Sequence, residues 1–112
     1  MGIIVSLLIN GLAVYITARI LPGVSVDSFI TAIIVSVVLG IVNTFIKPIL
    51  FILTLPATIS TLGLFTFVIN ALMVFLVAAF VPGFHVNGFW SAILFSIVLS
   101  LVSFVLRKLS ES

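Results

Sequence analysis

No cysteine occurs in the sequence, so disulfide frameworks, thiolate metal sites and thiol nucleophiles are excluded. Charge is almost as scarce. Arg19, Asp27, Lys47, Arg107, Lys108 and Glu111 are 5% of the 112 residues, against about 25% in an average soluble domain. The single histidine, His85, and the two carboxylates leave no cluster of metal-ligand type, so no metal or cofactor is expected. With one histidine in a loop, no nucleophile–base arrangement is visible either, and the chain is not expected to be an enzyme. The four basic residues are scattered and the net charge is +2, which gives no footprint for nucleic acid.

What remains is apolar: 64% of the chain. A small domain has a large surface to cover with polar groups, and six charges cannot do it, so a soluble monomer is excluded. Intrinsic disorder is excluded by the same apolar content. The implied solvent is lipid, and the bilayer is the first partner.

A helix needs about 20 apolar residues to cross about 30 Å of hydrocarbon. The runs 2–21, 28–46 and 88–106 each meet that length and end at Pro22-Gly23, Lys47-Pro48 and Arg107-Lys108. The first lacks a basic lead and a convincing cleavage site, and reads as a retained helix. The intervening Ile49–Val81 stretch, 33 residues, would be about 50 Å long as one helix. That is too long for one crossing and too short for two. It divides into a crossing at 62–81 and a connecting segment, 48–61, bounded by Pro48 and Pro56 and containing Thr54. Proline disfavours a continuous helix through either point, so this segment is expected at the interface or as a re-entrant dip. Four spans place both termini on one side. Lys47, Arg107 and Lys108 mark that side as cytoplasmic against Arg19 alone on the other.

Shifting the chain by 60 residues superimposes its halves. Asn10 meets Asn70, Pro22-Gly23 meets Pro82-Gly83, Phe29 meets Phe89, and Ala32, Ser36 and Leu39 meet Ala92, Ser96 and Leu99. Between 9–47 and 69–107 there are 15 identities in 39 ungapped positions. The expected fold is an all-α integral membrane protein of four transmembrane helices, arranged as two parallel-repeat hairpins. It forms one membrane domain, 1–112: repeat one 2–47, connecting segment 48–61, repeat two 62–107. Parallel repeats are related by an axis along the membrane normal, unlike the inverted repeats of many transporters.

In the loops, Pro22-Gly23 and Pro82-Gly83 stop one helix, and Asp27 and Asn87 are expected to cap the next. Arg19 could pair with Asp27. Within the spans, Asn10, Asn43 and Asn70 should avoid lipid, either as interhelical hydrogen-bonding residues or as a polar lining. Ala32, Ser36 and Gly40, with Ala92, Ser96 and Ser100, have the four-residue spacing of small residues that lets helices approach closely. This could seat span two on span four, or one chain on another. No span carries a carboxylate, which disfavours proton-coupled exchange.

The runs PGVSVDSF from Pro22, KPILFILTLP from Lys47, Asn70-Ala-Leu-Met73 and VPGFHVNGFW from Val81 resemble the small four-span bacterial proteins of the superfamily IV phage-holin-like (YvlD-like) family. The resemblance covers Leu7 to Leu106. It implies homo-oligomers that permeabilise the bacterial cytoplasmic membrane, and it carries over no catalytic residue. The reading is a holin-like, self-associating inner-membrane protein. Its alternatives are a structural or stress-response membrane protein acting through a partner, and a small passive anion or solute channel.

Overall fold

The computed structural model describes residues 2–111, with side-chain surroundings for 2–110. Six helices and two short strands follow in order: α1 (Ile3–Ile20), β1 (Val24–Val26), α2 (Phe29–Phe45), α3 (Lys47–Leu53), α4 (Leu55–Ser60), α5 (Phe65–Phe80), β2 (Phe84–Val86) and α6 (Phe89–Glu111). The four longer helices form a ring in which α1 and α5 each pack on α2 and α6. The diagonal pairs stay apart, with no Cα of α2 within 8 Å of α6. The small residues of span two are therefore not seated on those of span four.

Among the described residues, Ile3–Ile20 and Phe89–Ser110 are each long and apolar enough to cross a membrane. A third candidate is α2 together with α3, which meet at a 41° bend. Helix α5 has 16 residues, about 24 Å at 1.5 Å per residue, and is shorter than a standard crossing. The second helix thus ends at Phe45, and Lys47-Pro48 opens α3 beyond the bend.

The connecting segment is itself helical. Pro48 and Pro56 lie in the first turns of α3 and α4, where a missing N–H breaks no helical bond. Proline here starts short helices rather than only interrupting a long one. Helix α4 closes with Leu62 at φ 56° and Gly63 at φ 90°. The Gly63 N–H donates to the Thr58 carbonyl at 2.8 Å, a C-terminal motif that ties up an otherwise open carbonyl.

One end of the bundle is covered by strand pairing that the turn reading of the loops missed. The strands pair antiparallel, with Val24, Ser25 and Val26 opposite Val86, His85 and Phe84. Two further bonds extend the ribbon: Asp27 N–H to Gly83 O at 3.0 Å and Asn87 N–H to Gly23 O at 2.6 Å. Asp27 and Asn87 serve the ribbon through their backbones. The cap of α2 is Ser28, whose hydroxyl accepts from Thr31 N–H at 3.2 Å, and Ala92 N–H bonds back to Gly88 O at the start of α6. The expected capping by Asp27 and Asn87 is thus corrected by one residue. Phe84 and Val24 turn inward and are buried, while Ser25 and His85 are exposed.

Beneath the ribbon lies a dense apolar core of Phe84, Phe95, Val35, Met73 and Val77, all nearly inaccessible. The Phe84 and Phe95 rings sit 5.4 Å apart. Helices α1 and α2 approach closely at buried Gly11, where a Cβ would run into Ile33 Cγ1 and lie 3.2 Å from the Ile33 Cα.

Candidate functional site: a polar cavity at the basic end

Away from the ribbon the core opens. Because α2 and α6 do not touch, the space between them is left to short polar side chains. A cavity of about 620 Å³ is lined by Asn43, Ser100, Ser103 and Arg107 among others. Two smaller recesses adjoin it, of about 160 Å³ and 110 Å³. Asn10 and Ser36 line the larger recess, while Asn70, Ser96 and Lys47 line the smaller. Asn10 is ten residues from the ribbon end of α1, about 15 Å along the helix. The polar space therefore runs from the basic end to roughly mid-depth of a 30 Å hydrocarbon layer, then meets the apolar core.

The hydrogen bonds sort these groups by what they can still offer. Arg107 donates through Nη2 to Asn10 Oδ1 at 2.9 Å, joining α6 to α1. Ser36 and Ser96 donate to the carbonyls of Ile33 and Ile93 at 2.7 and 2.9 Å, and Ser100 donates to Ser96 O at 2.9 Å. These hydroxyls have given their protons to their own helices.

The sites singled out in the sequence divide between the two ends. Asn10, Asn43 and Asn70 surround the polar space. Pro22, Gly23, Asp27, Pro82, Gly83 and Asn87 lie at the opposite, ribbon end. Ala32 and Ala92 are fully buried, Ser36 and Ser96 half-buried, and Gly40 and Ser100 exposed. The small-residue rows thus run from core to cavity. Gly40 has open space where a Cβ would be. Pro48, Thr54 and Pro56 lie on α3 and α4, with the Thr54 hydroxyl donating to Leu50 O at 2.7 Å. Arg19 lies over the Tyr15 ring, 5.7 Å from its centroid, so cation–π contact replaces the pair expected with Asp27.

A family model described as "Mycobacterial 4 TMS phage holin, superfamily IV" matches residues 1–105. The chain belongs to this holin family. It is 40% identical over 105 residues to the uncharacterized membrane protein YvlD of Bacillus subtilis, covering 93% of this chain and 88% of that protein. It is 44% identical over 89 residues to an uncharacterized protein of Streptomyces coelicolor, covering 76% and 71%. No solved structure matches the chain. Membership and the apolar helices make it a bacterial membrane protein.

Two features were not singled out in the sequence. Lys47 and Arg107, read as membrane-end charges, also line the polar space. Gly11 carries a close helix contact, a role that its lone position in a helical run does not announce. The ribbon did have a signal, the apolar-polar-apolar triplets Val-Ser-Val and Phe-His-Val.

Proposed function

We propose that the protein is a holin-like, non-enzymatic component of the bacterial cytoplasmic membrane that acts by self-association. Its four spans form two parallel hairpins, with both termini cytoplasmic. The observation that carries this reading is the half-open bundle. Polar groups reach mid-depth from one end, and a closed apolar core fills the other. One chain therefore contains no path across the membrane, and a lesion requires several chains to rearrange around their polar ends. An outward groove of about 270 Å³ between α5 and α6, lined by Phe67, Ser96, Ile97, Ser100 and Leu101 among others, supplies a lipid-facing surface with small residues at its floor. The same closed core argues against a passive channel within a single chain.

The test pairs physiology with assembly. Because there is no native cysteine, Ile97→Cys and Leu101→Cys report contacts between chains cleanly. Induced expression should collapse the membrane potential as cross-linked multimers appear. An intact potential at high expression, with monomers only, would overturn the reading in favour of a structural or stress-response protein acting through a partner. Multimers with an intact potential would remove permeabilisation while retaining self-association.

A further inference from the structure

The two recesses beside the cavity are related residue by residue. Adding 60 converts Asn10, Ser36 and Gly40 of one into Asn70, Ser96 and Ser100 of the other. Subtracting 60 converts Arg107 and Ser103 into Lys47 and Asn43. In each recess a cation from the end of one half faces an asparagine from the first helix of the other half. Sequence similarity alone would keep the apolar positions alike. Here a cation, an amide and a small residue meet twice around one central space.

We propose that this space is an anion site for a phosphate oxyanion, supplied either as a free ion or as the headgroup of an anionic lipid. The charge is of one sign: Lys47, Arg107 and Lys108 line the cavity or its recesses, and no carboxylate does so among the described side chains. The available groups are donors. The guanidinium of Arg107 carries five N–H groups, of which one is used on Asn10. With Asn10 Oδ1 occupied, the amide NH₂ is the end of that side chain left for a ligand. Asn43, Asn70 and Ser103 add further donors around the same space. The small recesses have the size of a compact ion, since 110 Å³ is about four times a water's share of liquid volume. Cations lining one polar space repel each other, and an anion between them converts that repulsion into attraction. Arg binds phosphate through its planar fork, and Lys does so as a point charge. The inference does not rest on lesion formation, and its assay contains no permeability readout.

Purified protein is reconstituted in phosphatidylcholine nanodiscs and titrated with inorganic phosphate by calorimetry. A second preparation contains phosphatidylglycerol, and retained lipid is counted by native mass spectrometry. Wild type should bind phosphate, or retain one or two phosphatidylglycerol molecules per chain. The Lys47→Gln/Arg107→Gln variant should weaken whichever is bound at least tenfold. Gly40→Leu keeps every charge but fills the recess lined by Asn10, and should weaken binding. Arg19→Gln, at the other end, should change nothing. Phosphate binding alone identifies a soluble ion, and selective lipid retention alone identifies the headgroup. If neither binds, or if Gly40→Leu retains full binding, the cavity is not the site and the proposal fails. Circular dichroism and thermal melting of each variant separate a lost site from a lost fold.

Discussion

The close approach of α1 to α2 at Gly11 gives a prediction whose sign can be reversed. Gly11 is buried in the middle of α1, and an added Cβ would collide with Ile33 Cγ1 and press to 3.2–3.3 Å on the Ile33 Cα and Cβ. In an unconstrained helix interior, Gly→Ala stabilises by about 1 kcal/mol. Overpacking a tight contact costs about 1–3 kcal/mol, so Gly11→Ala should destabilise by about 0–2 kcal/mol. Ile33→Ala removes the Cγ1 and lets α1 settle. In that background Gly11→Ala should become neutral or stabilising, a coupling of at least about 1 kcal/mol. The corresponding position in the second half already holds buried Ala71. There Ala71→Gly should simply cost about 1 kcal/mol of helix propensity and cavity, without coupling to Ile93→Ala. Reversible unfolding in mixed detergent micelles, followed by circular dichroism over the double-mutant cycle, measures both. Coupling below about 0.5 kcal/mol between positions 11 and 33 would refute the contact as the determinant of helix spacing.

Two further outcomes test the ribbon end. Gly83 has φ 89°, and a Cβ there would lie 2.7 Å from Asp27 Oδ2; Gly83→Ala should cost about 1–2 kcal/mol from the left-handed backbone and more from the contact, read as a lower melting temperature. Ser25 and His85 are direct partners across the ribbon, and paired strand positions lie at Cα distances compatible with a disulfide. Ser25→Cys/His85→Cys should therefore oxidise within one chain, giving a faster-migrating band that reductant reverses. Exclusive formation of intermolecular dimers would show that the two loops do not pair.

The sequence made the apolar helices legible because their determinants are local. Length, charge placement and Pro-Gly stops can be read within twenty residues. The offset of 60 also aligns Asn10 with Asn70 and the two Pro-Gly turns with each other. The missed features depend on what the second half brings to the first. A three-residue strand such as Val24–Val26 has no stability alone, and becomes regular only when Phe84–Val86 lies beside it. The stretch from Lys47 to Ser60 is interrupted at Ile46 and Thr54, as two prolines imply, but reading proline as a breaker does not announce the short helices between the breaks. At the first turn of a helix it is a starter, and both prolines occupy that position. The Arg19–Asp27 pair failed because Tyr15, one turn earlier on the same helix, offers its ring to the guanidinium without crossing the loop.

The polar end follows from side-chain size as much as from polarity. In the ring of helices no Cα of α2 comes within 8 Å of α6, and what fills the gap between them depends on the residue at each level. Near the ribbon the fillers are Phe84, Phe95 and Val35, large enough to meet across the axis and exclude water. The next residues along, Ser36 and Ser96, and one turn beyond them Gly40 and Ser100, are too short to meet. A gap that apolar chains do not close either collapses or is occupied by something polar. Here the open end carries Lys47 and Arg107, and closing the bundle would bring two cations together. The short residues thus leave the space, and the cations at its open end give whatever enters it a reason to be negatively charged.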